Sequence, residues 1–80
     1  LYAAGMATHA MAPLARALGD AAYAREAEAL GRALLAATRR RFWDAGRDLY
    51  VANRPWAAEE KDVRLDDRAL AMAILFDQNP

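Results

Sequence analysis

Eighty residues leave room for one small domain at most, and eleven basic side chains balanced by eleven acidic ones exclude the charge footprint of a nucleic-acid binder or a polybasic membrane anchor. The absence of cysteine excludes disulfides and Cys-ligated metal sites. No apolar run approaches the ~20 residues of a membrane span, and a first residue of Leu rather than Met leads us to expect a segment of a longer protein.

The first expected helix covers residues 1–18. On a helical wheel Ala7, Met11, Leu14 and Leu18 fall on one side and Tyr2, Met6 and Pro13 nearly opposite, with only Thr8, His9 and Arg16 polar. Such a helix is apolar almost all round and reads as buried. Pro13 removes the amide that would bond the carbonyl of His9, so a kink or a restart is expected there. Gly19 stops the helix and Asp20 caps the next.

From residue 20 to 41 the pattern is one-sided. Tyr23, Ala27, Leu30, Leu34 and Ala37 form an apolar stripe, whereas Arg25, Glu28, Arg32 and Arg39 fall on the far side. Glu28 and Arg32 have the spacing of an i,i+4 pair, and Arg39-Arg40-Arg41 sits where the helix dipole favours cations.

Ala45-Gly46 then reads as a turn and Asp48 to Val51 as a short strand. Asn53 to Trp56 and Glu59 to Asp62 read as a solvated loop. A third helix is expected over residues 66–76, capped by Asp66 and apolar on every side from Ala69 to Phe76, with Asn79-Pro80 ending it. A buried helix, a one-sided helix and a second buried helix are the signature of two layers, inner and outer alternating.

The chemistry-bearing candidates are few. His9 is the only histidine and has no acidic or histidine neighbour at helical spacing, so neither catalysis nor metal binding is expected of it. No phosphate loop, nucleophile elbow or cofactor motif is present. Asp66 and Asp67 form a carboxylate pair, but adjacent residues cannot flank a glycosidic bond from opposite sides, which inverting hydrolysis requires. One of them is expected to cap the helix and the other to bind a sugar hydroxyl or orient Arg68. Trp56 stands in a polar loop, where a flat ring can either stack on a pyranose or anchor the loop. Trp43, directly after the second helix, is expected to plug into the core.

The run Phe42-Trp43-Asp44, the Leu49-Tyr50-Val51 strand and the Asp66-Asp67-Arg68-Ala69-Leu70-Ala71 helix start together resemble one hairpin of the bacterial α-L-rhamnosidases. These are glycoside hydrolases built on an (α/α)6 barrel of six helical hairpins. The resemblance implies an all-α fold of alternating inner and outer helices with a short strand near residues 48–51, residues 1–80 being part of one such barrel domain. It also implies that the long connection from Phe42 to Leu65 borders a sugar cleft, with Tyr2, Trp43, Trp56, Arg64, Asp66, Asp67 and Arg68 near its mouth. Of these, Trp56, Asp66, Asp67 and Arg68 are the expected substrate-binding residues. No catalytic residue carries over, because the family's general acid and base lie in motifs that nothing here matches. The expected partners are a carbohydrate substrate and the remaining hairpins of the barrel, with no cofactor. Asp48 departs from the family pattern, which more usually has Gly before the strand. The alternative is a non-catalytic scaffold of the tetratricopeptide type, faintly echoed by Leu18-Gly19, Tyr23 and Ala27, for which a strand at Phe42 to Val51 would have no use.

Overall fold

The computed structural model describes residues 1–51 and 65–80, and these are mostly helical with one small antiparallel sheet. The chain order is α1 (Tyr2–Met6), a π-helical turn (Ala7–Met11), α2 (Ala12–Ala17), α3 (Ala21–Phe42), β1 (Trp43–Asp44), β2 (Leu49–Tyr50) and α4 (Asp67–Leu75).

Pro13 is accommodated by widening the helix rather than by breaking it. The turn before it opens so that the amide of Ala12 bonds the carbonyl of Ala7, five residues back, while the backbone keeps right-handed helical angles. This widened turn stands where a kink or restart was expected. A π-turn is one of the ways a helix absorbs a residue that cannot join its ladder.

Gly19 then ends the first helix at φ 81°. The amide of Asp20 bonds the carbonyl of Ala15 at 2.8 Å and that of Gly19 bonds Arg16 at 3.0 Å, the paired bonds of a Schellman stop. The Asp20 carboxylate immediately starts α3 by accepting from the amide of Tyr23 at 3.0 Å.

The two long helices meet through their smallest side chains. Ala4, Ala7, Ala12 and Ala15 are buried on one side of the seam and Ala24, Ala27 and Gly31 on the other. A Cβ on Gly31 would overlap the Thr8 methyl and lie 3.0 Å from the carbonyl oxygen of Ala4, so the backbones approach too closely for any larger residue.

The apolar stripes expected to form the core therefore lie elsewhere. Tyr23, Leu30 and Leu34 are exposed on α3, and so are Met11, Leu14 (61%) and Leu18 (78%) on the first helix. In α4 only Ala73 is fully buried, and Ile74 is 74% exposed. Neither the first nor the third helix is covered on all sides within these residues.

Charged positions move as well. Glu28 pairs with Arg16 at 2.5 Å rather than with Arg32, bridging the two helices across the seam.

One expected strand is in fact a hairpin. Trp43 pairs with Tyr50 and Asp44 with Leu49, and the amide of Val51 bonds the carbonyl of Phe42 at 2.8 Å. Trp43 sits half-buried against the edge of the Tyr50 ring, with centroids 5.0 Å apart, which makes it a sheet residue rather than a core plug. The Asp44 carboxylate closes the loop by accepting from the amides of Gly46 (3.0 Å) and Arg47 (3.1 Å) and from the Arg47 guanidinium (2.7 Å). These bonds, the Arg47 side chain foremost, hold the Asp44 carboxyl below its ordinary pKa.

Asp48 occupies the left-handed position of this loop at φ 56°. That is where the resembled family more usually has Gly, and it is the one place in the hairpin where a side chain is disfavoured. Asp48→Gly is expected to be tolerated, with a gain of up to about 0.5 kcal/mol, whereas Asp48→Val should cost about 1–2 kcal/mol. Thermal midpoints of the two variants check the sign.

α4 begins at Asp66, whose carboxylate accepts from the amide of Arg68 at 2.9 Å, as expected of the cap. It ends before Asn79-Pro80, in a second Schellman stop with Asp77 at φ 51° and the amide of Gln78 on the carbonyl of Ala73 at 2.7 Å. The Phe76 ring then lies directly on Gly5 and 5.2 Å from the His9 ring, fixing the end of α4 against the first helix.

Candidate functional site

Where α4 starts, it faces the beginning of α1 and the end of α3 across an open cleft of about 470 Å³. The walls come from Tyr2 of α1, Thr38 and Phe42 of α3, Tyr50 and Val51 of the hairpin, and Asp66, Arg68, Ala69 and Met72 of α4. The volume is within the range of small-molecule sites, and the composition, apolar and aromatic walls with a few charged groups at one edge, is also theirs.

The charged edge is preorganised. Arg68 returns its guanidinium to the residue that caps its own helix, with Nε 3.2 Å from Asp66 Oδ1 and one terminal nitrogen 3.3 Å from Oδ2. A single carboxylate thus caps α4 and holds a forked cation in place. The side-chain bond from Arg68 is the main cause, and its amide the second, that keeps the Asp66 carboxyl below its ordinary pKa. The same contact raises the pKa of Arg68.

The sign of the pH effect follows. Because the folded pKa is depressed, the cap and fork contribute fully above the unfolded value of about 3.9 and are lost as pH falls through the lower folded value. An NMR titration of the Asp66 carboxyl carbon is expected to show a midpoint below the ordinary aspartate range, and Arg68→Ala is expected to return it toward that range.

Three expected cleft residues, Tyr2, Asp66 and Arg68, line this space together. Asp66 combines the two roles that were divided between it and Asp67, capping the helix and orienting Arg68 itself, while Asp67 is exposed on the first turn. Trp43 is engaged with Tyr50 in the hairpin. Trp56 and Arg64 lie outside the described residues.

Thr38, Phe42, Tyr50, Val51, Ala69 and Met72 were not anticipated in the walls. Phe42 and Tyr50 carried a signal, since both belong to the family-like motifs. Thr38 and Met72 did not, because only the docking of α4 on α1 and on the hairpin brings them together.

Behind the cleft a second polar cluster fixes its frame. Gln78 is 2% exposed, and its carbonyl oxygen accepts from the Tyr50 hydroxyl at 2.5 Å and from Arg39 Nε and a terminal nitrogen at 3.1 and 2.8 Å. Arg39 also reaches the carbonyl of Asn79 at 3.2 Å, and the Gln78 side-chain amide donates to the carbonyl of Leu1 at 2.8 Å. Arg39 is therefore a structural tie between α3, the hairpin and the C-terminal turn, not a far-side surface residue.

His9 is likewise occupied locally, its Nδ1 lying 2.8 Å from the Thr8 hydroxyl and 3.3 Å from the carbonyl of Gly5. Among the described residues, no cluster of three or more His, Asp or Glu side chains could hold a metal ion, and no helix is long and apolar enough to cross a membrane.

No protein-family model, curated protein or solved structure matches the chain.

Proposed function

We propose that this chain is one and a half hairpins of an (α/α)6 barrel in a glycoside hydrolase of the α-L-rhamnosidase type, and that it supplies a substrate-binding wall rather than catalytic groups. The observation that carries this reading is the cleft at the start of α4, where the Asp66–Arg68 fork borders walls of Tyr2, Phe42, Tyr50 and Met72. A pyranose has polar edges and apolar faces, and such a cleft offers it an acceptor and donor pair beside the exposed ring of Tyr2.

The exposed apolar sides of the first helix and α4 support the same reading, since neighbouring hairpins would cover them in a closed barrel. The β1–β2 hairpin also favours it over the tetratricopeptide-type scaffold, which has no use for a sheet at a helix exit. In this reading, inverting hydrolysis is performed by an acid and a base on other hairpins, and Asp66 stays committed to its helix and to Arg68.

The test is kinetic. Arg68 is an exposed side chain whose bonds among the described residues go to Asp66, so Arg68→Ala in the enzyme that contains this segment should leave the thermal midpoint within about 2 °C while lowering kcat/KM on an aryl rhamnoside about tenfold or more. Unchanged kinetics would remove the cleft from the substrate path.

A further inference from the structure

We propose that α3 carries a self-association surface whose partner is a second copy of this chain, packed antiparallel across a two-fold axis. On the side of α3 away from the first helix, Glu26, Leu30, Ala33, Ala37 and Arg40 are all exposed, and Tyr23 starts the same row from the flank, exposed beside the end of the first helix. They follow one another at alternating steps of three and four, the repeat that keeps a seam facing a partner helix. Leu30, at the middle of the seam, is 56% exposed, with exposed Leu34 beside it.

The pattern is complementary to its own reversal. Turned about a point between Gly31 and Arg32, the seam sets Leu30 opposite Ala33 of the second copy and Tyr23 opposite its Arg40. Large meets small, and a ring meets a guanidinium. Glu26 then lies about one turn from Arg40 of the copy on the same flank, and the two-fold axis repeats that pairing at the other end.

A parallel arrangement would set Glu26 against Glu26 and Arg40 against Arg40, so charge selects the antiparallel one. The identity of the partner follows from this match: in the same helix read backwards, Leu30 meets Ala33, Tyr23 meets Arg40, and Glu26 comes within about a turn of Arg40. The surface lies apart from the cleft, and its failure would leave the cleft reading standing.

Sedimentation velocity on the 80-residue chain over a hundredfold concentration range tests it, with far-UV circular dichroism to show that each variant keeps its helices. A monomer–dimer equilibrium is expected. Leu30→Glu, an exposed position, should abolish it, and Glu26→Arg or Arg40→Glu alone should weaken it about tenfold. The double variant Glu26→Arg, Arg40→Glu should recover the original affinity to within about threefold. A monomer throughout would overturn the proposal. So would association indifferent to these charges, or a double variant as weak as the singles.

Discussion

Replacing Gly31 with alanine is expected to destabilise this fold by about 1–2 kcal/mol, although the same change in an exposed helix would stabilise by about 1 kcal/mol through helix propensity alone. The added methyl would overlap Thr8 and sit 3.0 Å from the Ala4 carbonyl oxygen and 3.3 Å from the Ala7 methyl. Thr8 can rotate only by giving up its hydroxyl bond to Ala4, and the carbonyl belongs to a helix backbone that moves only as a unit. The overlap therefore outweighs the propensity gain. Urea denaturation followed by circular dichroism gives the sign directly, and a stabilised Gly31→Ala variant would show that the two helices do not meet through this seam.

Arg39→Met is expected to cost more, about 2–3 kcal/mol, because it keeps the apolar stem but removes charge-assisted bonds to two backbone carbonyls. Tyr50 still donates to the Gln78 carbonyl, so the loss falls most heavily on Asn79 and on the attachment of the C-terminal turn to α3. Hydrogen exchange should locate it. The amide of Gln78, protected by its bond to Ala73, is expected to exchange much faster in the variant while amides near Ala24 keep their protection. Equal acceleration at both places would mean that Arg39 supports the whole fold rather than one corner. Arg39→Lys is expected to recover only part of the loss, because a point charge cannot reach two carbonyls with the geometry of the fork.

The local signals in the sequence were strong where the physics is local. Asp20 and Asp66 were legible as caps, Gly19 as a stop and Ala45-Gly46 as a turn because each depends on a few neighbouring backbone groups. The faces of the helices were not legible in the same way. A wheel weighted by hydrophobicity selects Leu14, Leu18, Leu30 and Leu34, whereas the packing here selects the residues that let two backbones come close, Ala12, Ala15 and Gly31, with Ala27 alone of the α3 stripe. The Arg39 cluster was hidden for another reason. Its partners are 11 to 40 residues away, and an arginine in a C-terminal basic run carries a sufficient local explanation in the helix dipole.

The cleft was half legible for the same reasons. Asp66 and Arg68 could be placed because they start a helix, and Tyr2 because the family resemblance set it near the cleft mouth. The order of their contacts was not evident, since Asp66 was one of two adjacent carboxylates until its bonds to Arg68 distinguished it. Met72 and Thr38 entered the wall only through the docking of α4.

The central claim is that this cleft receives a sugar, and a titration of the isotopically labelled chain with L-rhamnose, followed by amide and side-chain NMR shifts, tests it most directly. The account predicts saturable shifts at Tyr2, Tyr50, Arg68, Ala69 and Met72, with Met11, Leu18 and Tyr23 at the opposite end of the helix pair unmoved. Shifts confined to that opposite end, or none at sugar concentrations of about 100 mM, where binding weaker than about 1–2 kcal/mol would go unseen, would contradict it.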